Sequence, residues 1–354
     1  MEKRHRRGRY AVALGILLAG ILLACCPPAF ALNPALDVSQ YAHTSWKIRE
    51  GFTKGPIRSI AQTPDGYLWL GTDFGLVRFD GVQNVPWEPP GDQHLPSRYI
   101  LSLLASRDGT LWIGTDNGLV SWNGRTLTQY PETAGRYVFA LLEDRDSAVW
   151  AGTYSGNSPP TGKLCVIHNG SVQCYGEDGV LGRGVFNLYE DRSGDLWASG
   201  ENGLWRWKPG PPEFLPMPGV LPVKGNLAED VDGALLILTD SGVKRLVGGK
   251  TEPYPIPGSA REFQATRLFR DRDGGLWIGT FGAGIAHVHQ GRTDFYSKSE
   301  GLTDDSVFTL FEDREGSIWA ANPKTASIAF ASSLSPRLLW TRVYQMAQSF
   351  PFCL

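Results

Sequence analysis

Several residue patterns on which active sites depend are missing from this sequence. No Gly-x-Ser-x-Gly elbow occurs, which removes the serine nucleophile of the α/β-hydrolase kind. No glycine-rich phosphate loop occurs either, which removes P-loop nucleotide chemistry, and no cofactor is implied. Basic residues are not in surplus, with 34 Lys and Arg against 36 Asp and Glu. Affinity for a phosphate backbone requires a basic surface, so nucleic acid is excluded as a partner. Cysteine is scarce, at five in 354 residues. Cys25 and Cys26 lie in a leader and Cys353 in an atypical tail, which leaves Cys165 and Cys174 in the folded body.

The leader is read from charge and hydropathy. Met1 to Arg9 carries five basic residues and one acid, Tyr10 to Cys26 is apolar and uncharged, and Ala29-Phe30-Ala31 fits a small-x-small cleavage site. Residues 1–31 therefore read as a secretory signal peptide. Leu22-Leu23-Ala24-Cys25 resembles a lipobox, so this chain is expected to meet a membrane only through a lipid anchor, an uncleaved signal or segments missing from it. Cleavage removes five positive charges and one negative, moving the formal net charge from -2 to -6.

What the chain does have is a phrase repeated around Trp69, Trp112, Trp150, Trp197, Trp277 and Trp319, with Leu236 in the one missing place. Successive copies lie 43, 38, 47, 39, 41 and 42 residues apart, the period of a repeat architecture. Nine residues before each centre stands Ile60, Leu103, Leu141, Leu188, Leu227, Leu268 or Leu310, a core position. Asp-Gly or a close variant precedes the tryptophan, as at Asp65-Gly66 and Asp273-Gly274, and marks a hairpin turn. Short apolar runs such as Tyr67–Thr72 and Leu76–Phe79 read as strands. Four strands per forty residues make a propeller blade. The fold expected is all-β, a seven-bladed β-propeller of four-stranded blades spanning residues 43–330, its ring closed by an N-terminal strand near Ser45 to Arg49 completing the blade of Trp319.

Between Cys165 and Cys174, Asn169-Gly170 forms a two-residue turn. Counting outwards pairs His168 with Ser171, Ile167 with Val172 and Val166 with Gln173, so that Cys165 faces Cys174. Their place is a non-hydrogen-bonded pair, where side chains come closest. In an oxidising compartment that pair forms a disulfide.

Candidate chemistry is filtered by the repeat. Adjacent acids occur at Glu143-Asp144, Glu190-Asp191, Glu229-Asp230 and Glu312-Asp313. A group needed once per active site has no reason to recur in four blades, so these read as turn and strand-end hydrogen bonders. His287-Val288-His289 places two imidazoles on one face of an outer strand, but no third ligand accompanies them and no metal site is assigned. Arg98, Arg136 and Arg183 recur fourteen residues before the tryptophan in three consecutive blades, with Tyr99 and Tyr137 beside two of them. Guanidinium forks and aromatic rings suit a small anionic or carbohydrate-like ligand; the competing reading is salt bridging to loop acids.

The phrases Asp65–Gly81 and Glu300–Phe308 resemble the two-component regulator propeller repeat over roughly residues 43 to 322. The resemblance implies the periplasmic sensor region of bacterial hybrid histidine kinases or diguanylate cyclases, a non-enzymatic domain that signals through self-association or reorientation of propellers. Departures are Leu236 in place of tryptophan, the lost Gly-Thr ending of that copy, and an insertion at Ser155 to Thr161. No kinase, cyclase or helix-turn-helix output motif is present, and Pro323 to Leu354 matches nothing in the repeats. Residues 331–354 read as a frame-shifted or disordered tail of a truncated receptor; alternatively Ser327–Phe330 serves as a third strand and the rest is loose. The expected function is a periplasmic sensor or ligand-binding propeller. A free periplasmic binding or scaffold propeller and a propeller lyase or glycosidase are the alternatives.

Overall fold

The computed structural model describes residues 37–46, 51–156, 160–200, 203–207, 212–217, 226–259, 262–322 and 328–331. The leader and most of the carboxyl-terminal segment lie outside them, as do the expectations that fall there. Among the described residues no helix is long and apolar enough to cross a membrane.

The chain forms a β-propeller of four-stranded antiparallel blades. Six sheets each use four consecutive strands, and a further four-stranded sheet is composite. In it Ala42–Ser45 from the amino end pairs with Ile328–Ala331, which continues into Ile318–Ala321 and Thr309–Glu312. The blades continuous in sequence thus number six against seven tryptophan phrases, because the Trp319 phrase supplies three strands and borrows its fourth. The borrowed strand is Ala42–Ser45, earlier than the segment expected at Ser45 to Arg49. The strand at Ile328–Ala331 agrees with a continuing third strand after the Trp319 repeat. Trp46, just beyond the borrowed strand, seals this junction by stacking on Trp319 at 5.4 Å and meeting Phe79 edge-on at 5.3 Å.

Each feature of the repeat has a physical role. Six of the seven branched residues nine places before the centre are buried, and Leu141 is half-buried. The turn glycines hold φ from 82° to 91° at Gly66, Gly109, Gly194, Gly233, Gly274 and Gly316, and Ser147 takes the same left-handed place at 63°. That region suits glycine because it has no Cβ. The glycine two residues after the tryptophan is required by the neighbouring blade. A Cβ on Gly71 would lie 2.6 Å from Ile100 Cγ2, and one on Gly279 2.6 Å from the Val307 carbonyl.

The tryptophan itself is tied to its turn. Its indole N–H donates to the residue six places earlier: Thr63 at 2.8 Å, Ser106 at 2.6 Å, Asp144 at 2.7 Å, Asp191 at 2.8 Å, Asp271 at 2.7 Å and Asp313 at 2.8 Å. A buried indole N–H needs such an acceptor. Where Leu236 replaces the tryptophan, Asp230 instead accepts from Tyr254 Oη at 3.2 Å and lies 3.6 Å from Arg270.

The other acid of each recurring pair stitches blade to blade. The backbone N–H groups of Arg107, Arg145, Arg192 and Arg272 donate to Glu143, Glu190, Glu229 and Glu312 of the next blade, and each guanidinium also pairs with that acid. At the ring closure Gln62 takes the acceptor role for Arg314 N–H at 2.7 Å. The four acid pairs are therefore architectural, on the face carrying the Asp-Gly turns.

Candidate functional site

Antiparallel alternation puts the remaining connections, the second-to-third strand turns and the links between blades, at the opposite end. That end bears what fails to recur. Phe74 and Phe281 are each 60 % exposed there, Phe308 is 37 % exposed and Tyr137 36 %. Leaving large aromatic rings in water is unfavourable and marks a contact surface when several share a face. Phe281 and Phe308 meet edge-on at 6.5 Å. Tyr137 stacks with Phe139 at 6.0 Å and meets Tyr154 at 5.7 Å, and Phe186 adjoins Phe139 at 5.5 Å.

The arginine register falls on this end, but its members are committed to separate loops. Arg98 pairs with Glu88 at 3.1 Å, both largely exposed. Arg136 spends its fork on Thr161, donating to the carbonyl at 2.9 Å and to Oγ1 at 3.3 Å. Burial pushes its pKa down and the charge of Glu177 opposes that. Arg183 is exposed within the link preceding the inner strand Asn187–Glu190. Tyr99 faces a different partner from the one expected: Arg58 lies over its ring at 4.7 Å while bridging both oxygens of Asp73. Burial is the main cause of the raised Tyr99 pKa.

Behind this end runs the central channel, a cavity of about 290 Å³ between the inner strands. Its lining includes Ser59, Ser102, Ala140, Asn187, Thr309 and Arg267. All stand ten residues before a tryptophan, so one register faces the channel in every one of these blades. Small and polar side chains here clasp neighbouring inner strands: Ser59 Oγ accepts from Leu103 N–H at 3.0 Å, and Ser102 Oγ donates to the Val138 carbonyl at 2.6 Å. Arg267 breaks the pattern. Aligning this column would have exposed it in the sequence, but only the arginine column four residues earlier was singled out.

The two histidines lie at the strand register expected and are packed in the interior. Both are buried on the third strand Ile285–His289. His287 stacks on Trp277 at 3.9 Å and on His289 at 4.6 Å. His289 Nε2 bonds Asp294 Oδ2 at 2.9 Å. Neither ring nitrogen of His287 has a hydrogen-bond partner, and burial pushes its pKa down to about 3. Cys165 and Cys174 pair in the register read from the sequence and form a disulfide with Cα atoms 4.0 Å apart. Asn169 and Gly170 take φ of 50° and 77°, as a two-residue hairpin of this kind requires.

Three stretches, residues 51–74, 94–117 and 264–282, match the family described as two component regulator propeller. No curated relative matches the sequence. Among solved structures, the extracellular domain of a hybrid two component system from B. thetaiotaomicron is similar at TM-score 0.66 and 19 % identity, covering 83 % of this chain and 42 % of that one. The chain thus spans less than half of that domain's length. A streptogramin B lyase is similar at TM-score 0.64 and 17 % identity, covering 82 % and 98 %. A catalytically inactive virginiamycin B lyase from Staphylococcus aureus, solved with quinupristin, is similar at 0.60 and 16 %, covering 82 % and 99 %. At these identities the likeness is one of fold.

Proposed function

Because the chain carries repeats of the two component regulator propeller family, we propose that it is the ligand-sensing propeller of an exported, periplasmic two-component-type receptor, with the composite sheet as its seventh blade. The observation that carries the reading is the asymmetry of the two ends. One is closed by recurring acid and arginine pairs, and the other exposes Phe74, Tyr137, Phe281 and Phe308. Non-recurring aromatic rings on a rigid scaffold suit recognition, either of a small anionic or carbohydrate-like ligand or of a second propeller. Among the described residues the channel lining contains no histidine, aspartate or glutamate, which favours binding over the acid-base chemistry of a lyase or glycosidase.

The test is sedimentation of the mature protein with and without uronic-acid and sulfated disaccharides, alongside Phe74→Ser and Phe281→Ser. Ligand-dependent association that the substitutions weaken is expected. An unchanged monomer in every case, with no heat of binding, would overturn the reading.

A further inference from the structure

Arg267 is a half-buried cation without a counter-ion among the described residues. Its Nε is shut off from solvent and has no hydrogen-bond partner. The side chain borders the channel, whose lining supplies no carboxylate among those residues. The second arginine there, Arg58, is already bridged to Asp73 and covered by Tyr99. Burial alone pushes the Arg267 pKa down, to about 10, which still leaves it protonated at neutral pH. A charge partly withdrawn from water, with a buried donor left unpaired, favours a partner of opposite sign. The other channel residues of its register are small, so the long side chain has open space in front of it. Phe139, Phe269 and Phe311 line the same cavity, and all three are half-buried, offering apolar surface beside the charge.

We propose that Arg267 is the anchor of an anion site in the central channel, one that takes a small organic carboxylate, with the carboxylate on the guanidinium and the apolar body against Phe139, Phe269 and Phe311. Ser59 contributes a hydroxyl whose oxygen already accepts from Leu103, so its O–H is directed by the ligand. Charge selects the anion, and the aromatic walls select an organic body over a hydrated inorganic oxyanion. The site holds its anion whether or not occupancy is relayed as a signal.

Calorimetric titration of the mature protein with benzoate tests it, with benzamide as the uncharged counterpart and sulfate as the inorganic one. Benzoate is expected to bind at least ten-fold more tightly than either. Arg267→Met should lose benzoate binding ten-fold or more, Arg267→Lys should keep part of it, and Arg98→Ala at the outer rim should leave it unchanged. A crystal soaked in benzoate should place the carboxylate on Arg267, a measurement that needs no variant. Equal benzoate affinity in a folded Arg267→Met protein, no benzoate binding by the wild type, or preference for sulfate would each overturn the assignment. Loss of benzoate binding in Arg267→Met leaves propeller association intact, so the two readings fail separately.

Discussion

Asp271 shows how the repeat phrase is held together and how the claim is tested. Its Oδ2 accepts the Trp277 indole N–H at 2.7 Å and its Oδ1 accepts the Gly275 N–H at 2.6 Å, with Trp277 fully buried. In Asp271→Ala both donors lose their acceptor. An unsatisfied buried donor costs about 1–3 kcal/mol, so the variant should lose roughly 2–6 kcal/mol. For a domain of this size that corresponds to a fall in melting temperature of roughly 5–15 °C. Asp271→Asn keeps one oxygen acceptor, and its loss should be about half as large. Asp146→Ala, an exposed acid in the corresponding turn, serves as the control and should stay within about 0.5 kcal/mol. Thermal unfolding followed by tryptophan fluorescence reads all three. Equal shifts for Asp271→Ala and Asp146→Ala would refute the indole-to-turn tie as a source of stability.

Three further outcomes are expected. His287 is neutral in the fold with its pKa pushed down to about 3, so its contribution is present above the unfolded value near 6.5 and is lost as pH falls from there toward 3. The full window is worth about 4–5 kcal/mol. Burial raises the Asp271 and Asp313 carboxyls, whose contribution has the opposite sign. His287→Phe should therefore flatten the acid limb, and denaturant midpoints at pH 7 and pH 4 that fall equally in both proteins would count against the assignment. The Cys165–Cys174 bond closes a short hairpin, and replacing both cysteines by serine should cost at most about 2–3 kcal/mol; thiol labelling of the denatured, unreduced wild type that tags both cysteines would remove the bond. Arg98→Ala should change stability by less than about 1 kcal/mol, because its pair with Glu88 is solvent-exposed, and a larger loss in thermal unfolding would show that the pair is structural.

The legible parts of this protein are those written in local sequence. The cysteine register could be counted because Asn169-Gly170 specifies its own turn and pairing then proceeds two residues at a time. The acid pairs could be assigned to architecture because they recur, although that one acid holds the indole while the other crosses to the next blade is a matter of spatial proximity. The arginine register was visible, but Arg98 and Arg136 prove to serve different loops, since equal spacing along the chain does not mean a shared site. His287 and His289 could be placed on one strand face from their spacing, but their burial could not, because it depends on Trp277 offering its ring face to His287 across the sheet.

By itself the sequence determined the blade. Turn glycines, strand alternation and the forty-residue period act through interactions between residues near one another along the chain, and they hold whatever the rest of the molecule does. Only the tertiary structure decided which side chains meet the channel, because that register acquires an inside when the inner strands converge from blades far apart in sequence. Convergence shuts the Arg267 Nε off from water and leaves its charge unanswered by protein among the described residues. Desolvation belongs to the closed ring, and no single repeat contains it.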